Sequence, residues 1–220
     1  NTAIYLRRAL GGRATLRYLT ALGDDRFSDH ILAAMGREGI DASGVARLPG
    51  RLPGLYAIAV DERGERSFSY WRSESAARDM FGPGGLVMEG LLDHDVLILT
   101  GITLAILPPA HREGLVALCG RAKAAGRLVA FDTNHRPRLW ESEAAARDCF
   151  ARMWQATTVA LPSRDDEARL FPGETVDDLF ARLAAAGVRE VALKDGAAGP
   201  HLWEGRALPR GDYPPAPRVV

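Results

Sequence analysis

The sequence predicts an α/β fold with a mostly parallel sheet, on three observations. From about Asp95 onward, short apolar runs of strand length alternate with amphipathic segments: VLILTG (96–101), LVAFD (128–132), TVALP (158–162) and EVALK (190–194). The segments between them have readable helix ends. Each run is followed by small or polar residues, as expected where the carboxyl ends of parallel strands form a ligand-binding edge.

Taken in order, NTAIYLRRAL (1–10) reads as a helix, followed by a strand near 16–22 and a helix from about Asp25 to Arg37 leading into EGID (38–41). LYAIAVD (55–61) and RSFSYWR (66–72) flank ERGE and read as a β-hairpin. Their alternation puts Tyr56, Ile58 and Val60 on one face of the first strand, and Phe68, Tyr70 and Arg72 on one face of the second. Such a face is either a wall over a ligand or an apolar surface packed on the core; spacing alone favours packing. After the run at 96–101, Pro108 and Pro109 suit a helix start and Gly126 its stop. The last helix begins at Thr175 with Asp178 three residues on, and Val176, Leu179, Phe180 and Leu183 share one face before Gly187. Right-handed crossovers are expected between the parallel strands.

Composition narrows the function classes. The 220 residues carry 28 Lys+Arg against 28 Asp+Glu, so there is no global attraction to nucleic acid or to an anionic membrane surface. The apolar runs are strand length, which argues against a membrane span and leaves a cytoplasmic location as the expectation. Cys119 and Cys149 lack a second ligand at metal spacing and are expected to be small buried residues. Only two lysines, Lys123 and Lys194, stand among 26 arginines, which draws attention to where Lys194 falls.

It falls at the end of an apolar run, followed by Asp195 and Gly196. The other ends carry Thr100 and Gly101; Asp132, Thr133, Asn134, His135 and Arg136; and Ser163, Arg164, Asp165, Asp166 and Glu167. Carboxylates and amide oxygens suit Mg²⁺ or its waters, and Arg suits phosphate or carboxylate, so phosphoryl transfer fits this inventory. No Walker A sequence and no Gly-x-Ser-x-Gly elbow competes. Phosphates would be held by helix N-termini and glycine amides such as those of GAAG (196–199). Plainer readings stand beside these: Asp132 and Asn134 as a turn, Arg136 as a surface partner of an acid, and the acidic run 165–167 as a solvated first helical turn. His30, His94, His111 and His201 read as structural or exposed. His135 lies near the cluster between two better candidates.

FDTNHRPRLW (131–140) resembles the Asp-x-Asn-x-Arg-x-x-Leu-Trp signature of ribokinase-like (phosphofructokinase-B-type) carbohydrate kinases. ALGDDRFSDHILAAMGREGID (21–41) resembles their Gly-Asp-Asp-x-Phe segment, NTAIYLRRALG (1–11) the helix after their N-terminal Gly-Gly motif, and VALKDGAAG (191–199) their ATP-side strand and glycine turn. RLPGLYAI (51–58), SYWRSESAAR (69–78) and GITLAIL (101–107) are most similar to the 2-keto-3-deoxygluconate kinase branch.

The resemblance implies a three-layer α/β/α core over 1–42 and 79–220 with a small β lid over 43–78, and ATP- and Mg²⁺-dependent phosphorylation of a sugar acid. Tyr56, Tyr70, Arg72, Gly101, Ile102, Asn134 and Arg136 would contact the acid, with Arg136 also facing the transition state. Ser163, Lys194, Gly196 and Gly199 would lie near ATP. Asp166 or Glu167 would support Mg²⁺ through water, Ser163 standing where many relatives have Asn. The partners implied are a sugar acid and ATP, with no nucleic acid or membrane, and lids in the family often contribute to dimer contacts, which leaves room for a homo-oligomer. The family's catalytic Asp segment, expected after a strand such as APRVV (216–220), has no counterpart here, so these 220 residues alone are expected to bind without transferring phosphate. The competing expectations are a catalytically silent binding protein, or a kinase of another sugar such as fructose.

Overall fold

The computed structural model describes residues 2–62 and 64–207. The strand expected at 216–220 lies outside the described residues. The chain falls into two compact units, Asn1–Gly90 and Leu91–Val220, whereas the sequence reading drew its boundaries after residues 42 and 78.

In the first unit, α1 (Thr2–Leu10) is followed by Gly11 and Gly12, both at positive φ, which stop the helix. Its arginines tie it down: Arg8 pairs with Glu38 at 2.6 Å, and Arg7 donates to the Gly39 carbonyl at 2.9 Å. The strand expected near 16–22 shortens to β1 (Thr20–Leu22), with Arg17 bridging to Asp41 nearby. α2 (Arg26–Arg37) starts at Asp25, whose carboxylate accepts from the Phe27 and Ser28 amides, as an N-cap aspartate should. β2 (Val45–Arg47), which the sequence did not signal, runs parallel to β1. The unit buries Ala21, Leu22, Ile40, Leu48, Ala76 and Met80. β3 (Leu55–Val60) and β4 (Arg66–Trp71) form the expected antiparallel hairpin, in register from Leu55 opposite Trp71 to Val60 opposite Arg66.

The second unit is the predicted parallel sheet. Its elements are β5 (Val96–Thr100), α3 (Gly101–Ile106), α4 (Pro109–Ala124), β6 (Leu128–Asp132), α5 (Glu143–Gln155), β7 (Val159–Ala160), α6 (Arg164–Leu170), α7 (Val176–Ala185), β8 (Glu190–Leu193) and β9 (His201–Trp203). Among the described residues the strand order is β5-β6-β7-β8-β9, parallel throughout except for β9, which pairs antiparallel to β8. The predicted ends of α4 and α7 are found: Pro109 opens α4, Gly126 follows it at positive φ, and Thr175 and Asp178 form a reciprocal capping box on α7. α3, directly after β5, was not expected, because GITLAI is too short to show helical periodicity.

Phe131 of β6 packs on Phe150 and Trp154 of α5, with ring centroids 5.6 and 4.9 Å away. All three are buried, and each such side chain contributes about 1.5–3 kcal/mol by leaving water. Cys119 and Cys149 are buried free thiols, as expected, and burial pushes them up to about 12 and about 11. No helix among the described residues is long and apolar enough to cross a membrane.

Candidate active site

The hairpin of the first unit holds three of the expected contact residues. Period-two alternation places Tyr56 opposite Tyr70 and Ile58 opposite Phe68 on one face. The Tyr56 ring lies 6.1 Å from that of Tyr70 and 6.2 Å from that of Phe68, and Phe68 and Tyr70 stack at 6.1 Å. The Arg72 guanidinium lies over the Tyr70 ring at 4.1 Å. This face is not packed on a core: Tyr56 is 56% and Tyr70 45% exposed, and Ile58 and Phe68 are exposed with them. The packing reading favoured by spacing is therefore corrected, and the hairpin presents two phenols and a guanidinium on an open aromatic surface.

At the base of the hairpin, Arg51 pairs with Asp79. Gly54 has no room for a large side chain, since a Cβ there would press on Arg72 at 3.1 Å. Gly23, within the Gly-Asp-Asp segment, lies against the Arg51 carbonyl so closely that a Cβ would collide with it.

In the second unit, the other candidates gather at the carboxyl ends of β5, β6 and β8. Gly101 opens α3 and is buried, and a Cβ there would run into the Thr133 carbonyl and the Phe150 ring. Close packing against the 133 backbone is thus one requirement for glycine at this position. Ile102 follows it, half-buried.

Residues 132–136 form a loop crossed by hydrogen bonds. Asp132 Oδ1 accepts from Lys194 Nζ at 2.7 Å and from the Asn134 amide at 3.1 Å. Thr133 donates its hydroxyl to Glu167 Oε1 at 2.8 Å, and the His135 amide donates to Asp166 Oδ2 at 3.0 Å. Asn134 adopts φ +32°, among the described residues the only non-glycine at positive φ, in a region where asparagine is tolerated best. Arg136 is exposed, with Nη1 donating to the His135 carbonyl at 2.8 Å.

The nucleotide-side candidates lie beside this loop. Ser163 bridges to Lys194 and precedes α6 without making a side-chain cap bond. Lys194 is exposed but engaged with Asp132. Gly196 and Gly199 are at φ +48° and +76° in the turn after β8, where the Ala198 amide donates to the Asp195 carbonyl at 2.9 Å and the Gly199 amide to the Gly196 carbonyl at 3.3 Å. Beyond them His201 Nε2 lies 2.7 Å from Asp195 Oδ2.

The acidic run expected as one solvated turn is divided by the structure. Asp165 is exposed and Asp166 half-buried, while Glu167 is only 2% exposed. Glu167 Oε2 accepts from Arg182 Nη2 at 2.7 Å, and Oε1 holds Thr133. Burial raises the Glu167 carboxyl above its ordinary range, and the Arg182 guanidinium pulls it back. Of the two acids expected near Mg²⁺, Asp166 alone offers an accessible carboxylate. Among the described residues no three His, Cys, Asp or Glu side chains converge to hold a metal.

The model for pfkB family carbohydrate kinases matches residues 1–208. The chain belongs to the pfkB family of carbohydrate kinases. Among curated family members, the 2-dehydro-3-deoxygluconokinase of Escherichia coli strain K12 is 42% identical over 200 residues, which cover 90% of this chain and 65% of that protein. The protein of the same name from Haemophilus influenzae is 37% identical over 202 residues, covering 90% of this chain and 64% of the relative. The chain thus spans slightly less than two thirds of the length of these two relatives. The crystal structure of a PfkB protein from Polaromonas sp. JS666 aligns with a TM-score of 0.83 at 30% identity, covering 96% of this chain and 70% of that one. A fructokinase from Xylella fastidiosa, at 22% identity and a TM-score of 0.74 over 92% of this chain and 61% of its own, shares the α/β ribokinase-like fold.

Two buried residues of the 132–136 loop were not singled out by the sequence reading. Thr133 was named only as one of the polar residues at the end of its strand, and His135 was set between two better candidates; both are buried, at 0% and 3% exposure. His135 packs edge-on against Phe150 with centroids 5.7 Å apart, and burial lowers its basicity. A signal for Glu167 was present: it precedes Leu170 by three residues, so the two share a helix face, and the buried face of α6 is that one.

Proposed function

We propose that this chain is the sugar-acid- and nucleotide-binding part of an ATP- and Mg²⁺-dependent kinase that phosphorylates 2-keto-3-deoxygluconate, the 2-dehydro-3-deoxygluconate of its relatives' names, on the terminal hydroxyl. The observation that carries the substrate assignment is the hairpin face of Tyr56, Tyr70 and Arg72. Two phenols can bond hydroxyls, and a guanidinium held over a ring can meet a carboxylate, a group that neutral sugars lack. The relatives named 2-dehydro-3-deoxygluconokinase support the same choice at 37–42% identity, while a probable fructokinase from Arabidopsis thaliana stands at 29% over 180 residues, 81% of this chain and 53% of its own.

In the second unit, Asn134 and Arg136 serve the acceptor, with Gly101 and Ile102 as lining. Arg136 is the cation that meets charge developing on the transferred group, since it is exposed in the loop after β6 and, among the described residues, makes no hydrogen bond to an acidic side chain. Ser163, Lys194, Gly196 and Gly199 serve the nucleotide, the glycine turn supplying amides and Lys194 a positive charge. Asp166 serves Mg²⁺ through water. The bound metal would neutralise phosphate charge; the protein residues bind and orient the two substrates.

The test is ADP release when 2-keto-3-deoxygluconate is added to the polypeptide as made in the cell, with ATP and Mg²⁺ present, and the product followed by ³¹P NMR. A new phosphomonoester at the terminal carbon is expected. Binding of the acid without ADP release would overturn the proposal in favour of a silent binding protein.

A further inference from the structure

We infer that Glu167, fixed by Arg182, is a positioning residue for the acceptor side of the reaction: acting through Thr133, it sets the backbone that presents Asn134 and Arg136. This rests on the reading of the 132–136 loop as the acceptor loop.

The geometry runs from α7 to the loop. Arg182 donates to Glu174 at 2.7 and 2.8 Å and lies over the Phe171 ring at 3.9 Å, so its guanidinium is held independently of Glu167. From there it donates to Glu167 Oε2 at 2.7 Å, and Glu167 passes the constraint through Oε1 to the Thr133 hydroxyl at 2.8 Å. Both ends of that last bond are buried, Thr133 at 0% and Glu167 at 2% exposure. One residue further along is Asn134 at φ +32°, and on its other side the His135 amide is held by Asp166 of the same helix. Asn134 is therefore pinned on both flanks by consecutive carboxylates of α6, which keeps the less populated backbone conformation in place.

The chemistry of the network favours position over stability as its contribution. A buried ion pair gains little over a well-packed apolar pair of the same volume, because the Coulombic attraction is largely offset by lost hydration. A bond from a hydroxyl to one carboxylate oxygen, with the other oxygen occupied, does fix distance and direction. The same contacts account for Glu167 being withdrawn from the solvent-facing edge where Asp166 remains.

The experiment is Thr133→Val, which keeps the shape and removes the donor, compared with Thr133→Ser, which restores it. In steady-state kinetics of the polypeptide as made in the cell, Thr133→Val should raise KM for 2-keto-3-deoxygluconate about tenfold while KM for ATP stays within about twofold, and Thr133→Ser should return it to near wild type. In amide exchange, the His135 amide should exchange about tenfold faster in Thr133→Val, with β6 amides unchanged. A merely structural role would lower Tm and the active fraction and leave both KM values alone; that result, with His135 exchange at the wild-type rate, overturns the inference. Should the valine variant not fold, Thr133→Cys, a weak donor of similar size, is expected to give a smaller rise in the same KM, and no rise would count against the inference. If the wild type does not phosphorylate the acid, the functional reading fails, and His135 exchange alone decides whether the loop is held in this way.

Discussion

The hairpin β3–β4 and the loop 132–136 each offer polar residues beside an arginine, yet they are supported in opposite ways. The hairpin side chains stand on two strands whose residues are exposed on both faces, held in register by their own ladder and by an aromatic row. The loop side chains stand on a backbone tied by Lys194, Glu167 and Asp166, with buried aromatic rings beneath. Recognition residues on the first kind of support can be replaced at little cost to folding. Those on the second kind are inseparable from the core, because the residues that place them are themselves buried.

Four substitutions sharpen this contrast. Arg182→Met should be the most damaging, since it strands the buried Glu167 carboxylate with Thr133 as its remaining partner; a loss of about 3 kcal/mol is expected in denaturant unfolding, and wild-type stability would show that the network is dispensable. Gly101→Ala should follow, at about 2 kcal/mol, because the added carbon must displace the Thr133 carbonyl or the Phe150 ring; calorimetric unfolding measures it. Arg72→Ala should leave Tm unchanged and raise KM for the sugar acid by roughly tenfold, about 1.5 kcal/mol of a charge-assisted contact, and a fall in Tm without a change in KM would reverse its assignment. Ile58→Thr, on the exposed hairpin face, should change stability by no more than about 0.5 kcal/mol, and a larger loss would mean that the hairpin is packed after all.

The sequence showed the sheet, the hairpin and the caps well, and the support of the site poorly. Strand runs such as LVAFD and the Thr175 capping box are local patterns, and both appear where expected. β2 and β9, three residues each, are too short to carry a pattern, and their pairing is decided by neighbours distant in sequence. The hairpin alternation was legible, but whether its apolar face was covered depended on what else reached it, which no local pattern encodes. At the loop, Asn134 and Arg136 stood out by residue type. Thr133 did not, and Glu167 was expected only as an acid supporting Mg²⁺ or a solvated turn residue, because the contact they share is a bond between residues 34 apart in the chain. The face shared by Glu167 and Leu170 was the one local clue that the acidic run is not uniformly solvated.

The most direct test of the account is the ratio of kcat/KM for 2-keto-3-deoxygluconate to that for fructose, measured with saturating ATP and Mg²⁺. If arginines such as Arg72 recognise a carboxylate, the acid should be preferred by about a hundredfold or more, since a site built for a charged group is left with unpaired cations by a neutral sugar. Equal or better turnover of fructose would contradict the account.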